Sequence, residues 1–304
     1  MQSVQSIEFC IPTYNRANVL LKTSPINAAI CARHDNCRLT YLDNASKDNT
    51  CEVLAATLAN YPTQCRVMRN PVNIGLKGSL LRLYREASAA GRMLVFLSDE
   101  DVVYEPGLQA LEDELRRDPT FIAPNQHYCF NYLTRRGKDF PYRRRRRLPL
   151  TWGDFEPFTF GYVTGFGSTL DSVAATAISE SLMLDSRNVY PHWAAFDFEP
   201  SRVVVPGIAL IAEMSVGNTT SYHEELLYQE SHLTPRHVNA YCSYHAETAK
   251  GWQPWLWRLR YRYCNALMRA FASGNYGVAC LWSAIALCLL WPRVLGYYVL
   301  RAKS

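Results

Sequence analysis

The chain has 304 residues, 48% of them apolar, which is enough for one large domain or a domain with an appendage and excludes wholesale disorder. Lys plus Arg number 32 against 27 Asp plus Glu, and the resulting +5 is uneven: Arg143 to Arg147 form one run, and Arg258, Arg260, Arg262, Arg269, Arg293, Arg301 and Lys303 crowd the C-terminal end. The 10 cysteines include no CxxC pair and several lie in apolar runs, which argues against a disulfide scaffold and for buried reduced thiols in a cytosolic protein.

Ile7 to Ile11 reads as a first strand, entered from a polar N-terminus without a charged n-region, so no signal peptide is expected. Pro12-Thr13-Tyr14-Asn15-Arg16 closes it. Ala17 to Ile30 has helical spacing, with Val19, Leu20, Ile26 and Ile30 recurring and Pro25 expected to break or kink it. Arg38 to Leu42 is a second strand, followed by Asp43-Asn44-Ala45-Ser46-Lys47-Asp48-Asn49-Thr50, turn chemistry that runs into helix-cap residues. A helix over Cys51 to Tyr61, a strand over Cys65 to Arg69 and a loop at Asn73-Ile74-Gly75 come next. They are followed by a helix over Ser79 to Ala90, a fourth strand over Met93 to Leu97 and a helix over Leu108 to Arg117. Such alternation implies an α/β fold, with a mostly parallel sheet covered by helices on both faces. Ligands of such sheets bind outside the carboxyl ends of the strands, where every one of these polar clusters falls.

The fourth strand delivers Asp99, Glu100 and Asp101 to its end. Acids buried there unpaired would be costly, so they belong at a sheet edge, a metal or a partner. Asp99 and Asp101, one residue apart, suit one hard divalent cation, Mg2+ or Mn2+, bridging to substrate phosphates; a solvated acidic turn is the alternative. No GxxxxGK[ST] loop and no GxGxxG follows the first strand, so a cation rather than a glycine nest would neutralise a diphosphate.

Taken in order, Ile11-Pro12-Thr13-Tyr14-Asn15-Arg16, Leu42-Asp43-Asn44-Ala45-Ser46-Lys47-Asp48-Asn49-Thr50, Asn73-Ile74-Gly75 and Ser98-Asp99-Glu100-Asp101 resemble the GT-A nucleotide-sugar glycosyltransferases of family 2. The likeness covers about residues 5 to 120. It implies a Rossmann-like GT-A fold, a nucleoside-diphosphate-sugar donor and a divalent metal. Pro12, Thr13, Tyr14, Arg16 and Asp43 would lie around the base and ribose, with Asn73, Gly75, Lys77 or Arg82, Asp99 and Glu100 near the donor. Asp99 and Asp101 match the family's DxD motif, whose last acid carries most of the metal binding. Where the family has two acids in a row after the second strand, this chain has Asp43 and then Asn44.

The second half bears on the acceptor. The Gly-rich Tyr162-Val163-Thr164-Gly165-Phe166-Gly167-Ser168 would let a sugar approach the backbone or would be a plain strand with a bulge. A transferase needs a base for the acceptor hydroxyl, and the candidates are Asp197, then His192, then Glu199. His223 or His232 would complete a metal shell. Ala270 to Pro292 carries no charge, but its strongly apolar part is short for a span, and with Trp252, Trp255, Trp257, Tyr261 and Tyr263 among arginines it suits an interfacial helix. The expected organisation is a GT-A domain over 1–250, with a donor half to 120 and an acceptor half beyond, and a helical membrane-association or oligomerisation segment over 251–304. The expected activity is sugar transfer to a glycan or lipid-linked acceptor in surface polysaccharide assembly, at the inner face of the membrane, with no nucleic-acid partner. A non-catalytic binding relative and a sugar nucleotidyltransferase are the rivals.

Overall fold

A computed structural model of the chain describes residues 4–133, 139–140, 146–149, 163–184, 191–196 and 202–214, which all belong to one compact unit. Its first half alternates β1 (Ser6–Thr13), α1 (Ala17–Ala32), β2 (Cys37–Asp43), α2 (Thr50–Leu58), β3 (Cys65–Arg69), α3 (Gly75–Ala87) and β4 (Arg92–Phe96). β5 (Asp101–Val103) and α4 (Glu105–Arg117) follow. The short strands β6 (His127–Cys129), β7 (Asn131–Leu133), β8 (Asp139–Phe140), β9 (Arg146–Pro149), β10 (Phe166–Ser168), β11 (Val203–Val205) and β12 (Ala209–Glu213) come later.

β1 is buried at nearly every position, the mark of a strand covered on both faces. It pairs in parallel with β2 on one side, from Ile7↔Cys37 to Thr13↔Asp43, and with β4 on the other. Among the described residues the main sheet has eight strands in the order β3-β2-β1-β4-β10-β6-β11-β9. The chain leaves β1 for β2 and β3, then returns to β4 on the opposite side. The order therefore reverses between β1 and β4, and the carboxyl ends of those two strands flank a topological switch point. A second sheet, β5-β12-β7-β8, begins directly after the acidic turn.

Several expectations need adjustment. α1 runs unbroken through Pro25 to Ala32. The carbonyl that loses its donor is that of Leu21, a residue 57% exposed, so water can take the place of the missing N–H. Ile26, expected on the buried face, is 38% exposed, while Thr23, Ser24 and Asn27 are wholly buried. α3 begins at Gly75 rather than Ser79. Further on, β11 and β12 lie in different sheets, parted by Pro206 and by Gly207 at φ +73°.

Away from the switch point, Glu8 is buried in the middle of β1. It accepts from Thr40 Oγ1 at 2.6 Å, Arg66 Nη2 at 2.9 Å and Arg92 Nη1 at 2.8 Å, so its charge is paired and hydrogen-bonded, as burial demands. Gly107 marks a close approach of α4 to the second sheet: a Cβ there would lie 1.5 Å from the Ala209 carbonyl oxygen. Gly107→Ala should therefore destabilise the protein by about 3 kcal/mol, read as a lowered urea midpoint at unchanged slope.

His127 on β6 is buried between Phe166, at a ring-centroid distance of 5.7 Å, and Phe196 at 5.6 Å. Burial first, then the Arg202 charge, pushes its pKa from 6.5 down to about 3. In that window the unfolded chain binds a proton that the folded chain refuses. Stability is thus complete above pH 6.5 and falls as the pH drops toward 3. The full loss is roughly 5 kcal/mol. Thermal melts between pH 7 and pH 4 should show this decline, and His127→Leu should flatten it.

Candidate active site

Four loops meet at the carboxyl ends of β1, β2, β3 and β4, and hydrogen bonds tie each to the next. From the β1 loop, Thr13 Oγ1 donates to Asp99 Oδ2 at 2.7 Å. Arg16 Nε reaches Asp99 Oδ1 at 3.3 Å, and Arg16 Nη2 reaches Glu100 Oε1 at 2.7 Å. Both oxygens of Asp99 are thus engaged by the β1 loop, and its side chain is buried. Burial pushes the Asp99 carboxyl above its ordinary range, and the Arg16 charge, ahead of the Thr13 hydrogen bond, pulls it back. The arginine that the family resemblance placed beside the base lies under the acidic turn, as its counter-charge.

The β2 loop grips the β1 loop from the other side. Asn44 N donates to Thr13 O at 2.9 Å. Asn15 N donates to Ser46 Oγ and Lys47 N to Asn15 Oδ1, each at 2.8 Å, and Arg16 N donates to Thr50 Oγ1 at 2.8 Å. Asn15 at φ +53° and Ala45 at φ +61° hold left-handed backbone in these two loops. For Ala45 that conformation costs on the order of 1 kcal/mol, and the surrounding bonds keep it in place.

Asp43 is 0% exposed. Its Oδ1 accepts from Ser46 N at 3.1 Å, and its Oδ2 accepts from Cys51 Sγ and Arg69 Nε, each at 3.2 Å. It shapes the β2 loop from within. Burial, then the Asp43 carboxylate, raises the Cys51 thiol pKa. Asn44, the next residue, joins the β3 loop. Its Nδ2 donates to Asn73 Oδ1 at 2.7 Å, and its Oδ1 accepts from Asn70 Nδ2 at 2.7 Å and Ile74 N at 3.0 Å. Asn73 Oδ1 also caps Gly75 N at 2.8 Å, at the left-handed start of α3. Asn73 and Gly75 are exposed, and Pro12, Tyr14 and Lys77 are half-buried at the same rim. Arg82 instead closes on Glu86, the Arg69 carbonyl and Asn70.

Asp101 stands half-buried at the lip, as the first residue of β5. Its N–H donates to Ser98 O at 3.1 Å, and Ser98 N donates to Thr164 Oγ1 at 2.9 Å. The Gly-rich segment is thereby drawn beside the acidic turn as β10, whose Gly167 lies opposite Val95 of β4. Its glycines answer to packing within the fold. A Cβ on Gly167 would lie 2.8 Å from the Phe130 ring, and one on Gly165 would lie 2.9 Å from the Phe130 carbonyl oxygen.

His192 sits on a 3-10 turn (Pro191–Phe196), wholly buried, with its ring 5.0 Å from that of Phe166. Asp197, Glu199, His223 and His232 lie outside the described residues, as do Arg143 to Arg145 and the segment beyond 250. Among the described residues no helix is long and apolar enough to cross a membrane, and no three His, Cys, Asp or Glu side chains form a metal cluster. The acids of this turn offer oxygen ligands, which suit a hard cation held by a carboxylate and completed by oxygens of a diphosphate and water. Asp101 fits that part; Asp99, with both oxygens engaged, fits the support of the turn.

The sequence pattern of glycosyl transferase family 2 matches residues 8–172, more than half of the chain. No curated protein matches. S. aureus TarS 1-349 is similar in structure at a TM-score of 0.50, 12% identity, 80% of this chain and 72% of that one. Its complex with UDP gives a TM-score of 0.53, 11% identity, and 88% and 92% coverage. The mannosyltransferase PcManGT from Pyrobaculum calidifontis, in complex with GDP-Man and Mn2+, gives 0.53, 13%, and 95% and 82%. At these identities the likeness is one of fold, and the fold is the GT-A arrangement.

Proposed function

From the premise that the chain belongs to glycosyl transferase family 2, we propose that it transfers a sugar from a nucleoside-diphosphate donor to a hydroxyl of a glycan or lipid-linked acceptor. The observation that carries this is the joining of the β1, β2 and β3 loops and the acidic turn at the switch point between β1 and β4. A nucleotide laid there would have its base and ribose over Pro12, Tyr14 and the exposed Asn73-Gly75 rim, with Lys77 near by, and its diphosphate toward Asp101.

In the transfer, the acceptor oxygen bonds to the anomeric carbon, the bond from that carbon to the diphosphate breaks, and the hydroxyl proton passes to a protein base. Asp197 is the residue assigned to that base on its sequence context. Asp101, with Glu100 beside it, would hold a Mn2+ or Mg2+ ion, which when bound offsets charge on the leaving diphosphate. Arg16 and Thr13 keep Asp99 in place beneath. The printed titles of similar structures, one with UDP and one with GDP-Man and Mn2+, agree with this class of donor and metal. The 251–304 segment, rich in Trp, Tyr and Arg, supports an acceptor met at a membrane surface and a peripheral place at its inner face, in surface polysaccharide assembly.

Incubation with UDP-, GDP- and dTDP-sugars and Mn2+ tests the proposal. Release of nucleoside diphosphate that depends on an acceptor is the expected result. Formation of a nucleoside triphosphate and a sugar 1-phosphate on addition of pyrophosphate would indicate nucleotidyl transfer instead, and nucleotide binding without turnover would indicate a binding protein.

A further inference from the structure

The buried stripe of α1 contains Thr23, Ser24 and Asn27, three polar residues where an apolar seam would pack more cheaply. Ser24 bonds within its own helix, to Leu20 O at 2.6 Å. The other two reach out of it. Thr23 Oγ1 donates to the Asp99 carbonyl at 2.8 Å. Asn27 Nδ2 donates to the Asp101 carbonyl at 3.2 Å, and its Oδ1 accepts from Val103 N at 2.8 Å.

The geometry of Asn27 repeats that of a sheet. The carbonyl of one residue and the N–H of the residue two further on point to the same strand edge, and a single peptide group can serve both. The opposite edge of β5 is paired with β12, with Asp101 opposite Glu213 and Val103 opposite Ile211. The Asn27 amide, chemically a peptide group, supplies the second edge from a helix. Together with Thr23, it fixes the backbone immediately before, at and after Asp101.

We propose that Thr23 and Asn27 are positioning residues for metal binding: they hold the Asp99–Val103 backbone so that the Asp101 carboxylate meets the donor-bound cation without first having to be ordered. This rests on the reading of Asp101 as the metal carboxylate. The physical reason is preorganisation: a ligand held in place by groups behind it loses less freedom when the ion binds.

The test uses the full chain with Mn2+ and either UDP or GDP, reading free Mn2+ by electron paramagnetic resonance. Asn27→Leu, close in size but unable to hydrogen-bond, should weaken Mn2+ binding at least about tenfold. Thr23→Val should weaken it less, and Thr23→Ser, which keeps the hydroxyl, should restore wild-type affinity. Hydrogen exchange at the Val103 amide should accelerate in Asn27→Leu while amides of β1 and β2 stay protected. Should Asn27→Leu fail to fold, the comparison of Thr23→Val with Thr23→Ser still decides. Folded variants with wild-type Mn2+ affinity would overturn the inference and leave Asp101 in its role. A wild type that binds no Mn2+ with either nucleotide would overturn the metal reading, and this inference with it.

Discussion

Asp101→Ala should lower acceptor-dependent release of nucleoside diphosphate by about a thousandfold, equivalent to ~4 kcal/mol of transition-state stabilisation. The size follows from the chemistry of the leaving group. Two phosphates depart with their charge developing at the bridging oxygen. Asp101 stands half-buried at the lip, next to Asp99 and Glu100, which bond to the β1 loop. Asp101→Ala keeps the backbone ties of residue 101 to β12, Asn27 and Ser98. Asp99→Ala makes the contrast, since it strips partners from Thr13 and Arg16 in a buried place and should cost both activity and folding stability. Initial rates with Mn2+ and with a chelator, beside melting curves for the three proteins, separate the two roles. Near-wild-type turnover by Asp101→Ala, or wild-type turnover that ignores the chelator, would remove the metal from the mechanism.

Arg16→Met should destabilise the fold by about 3–5 kcal/mol, the usual cost of removing one partner from a buried ion pair. The guanidinium is buried and touches both Asp99 and Glu100. Burial already raises the Asp99 pKa, and Arg16 is the largest influence lowering it, so without the arginine the carboxyl shifts further toward its protonated form. Without that counter-charge the buried Asp99 carboxylate no longer draws in the β1 loop, and the donor rim loosens with it. Urea titration of the single variant and of Arg16→Met with Asp99→Asn is the measurement. The double variant, which removes the stranded charge, should recover more than half of the lost stability. Recovery of none would mean that Arg16 acts through other contacts.

Much of the donor half is legible in the sequence alone. Short apolar strands closed by Pro12–Arg16, Asp43–Thr50, Asn73–Gly75 and Ser98–Asp101 announce a parallel sheet whose loops share one edge, because parallel strands joined by helices must all end on the same side. The β3 strand falls where its composition placed it, over Cys65–Arg69. Roles within the site were harder to read. A motif names a position in a loop, but it does not say which way the side chain turns. Arg16 and Asp43 look alike as polar residues at strand ends; in the folded chain one lies under the acidic turn and the other is sealed inside the β2 loop. Thr23 and Asn27 carry only a faint mark in the sequence: polar residues set three and four positions from Leu20 and Cys31, on a helix whose apolar spacing runs through Ile26 instead.

By itself the sequence determined the alternation of strands and helices, the common edge on which their loops gather, and the acids offered there. Those follow from local hydrophobic period, turn chemistry and chain connectivity. Only the tertiary structure decided which acid is spent on Arg16 and Thr13 and which stands at the lip, that β5 turns away into a second sheet, and that a helix supplies its missing edge. Each of these depends on partners 74 to 112 positions apart along the chain (Asn27 with Asp101, Thr23 with Asp99, Asp101 with Glu213), and no local pattern encodes a hydrogen bond across such a distance.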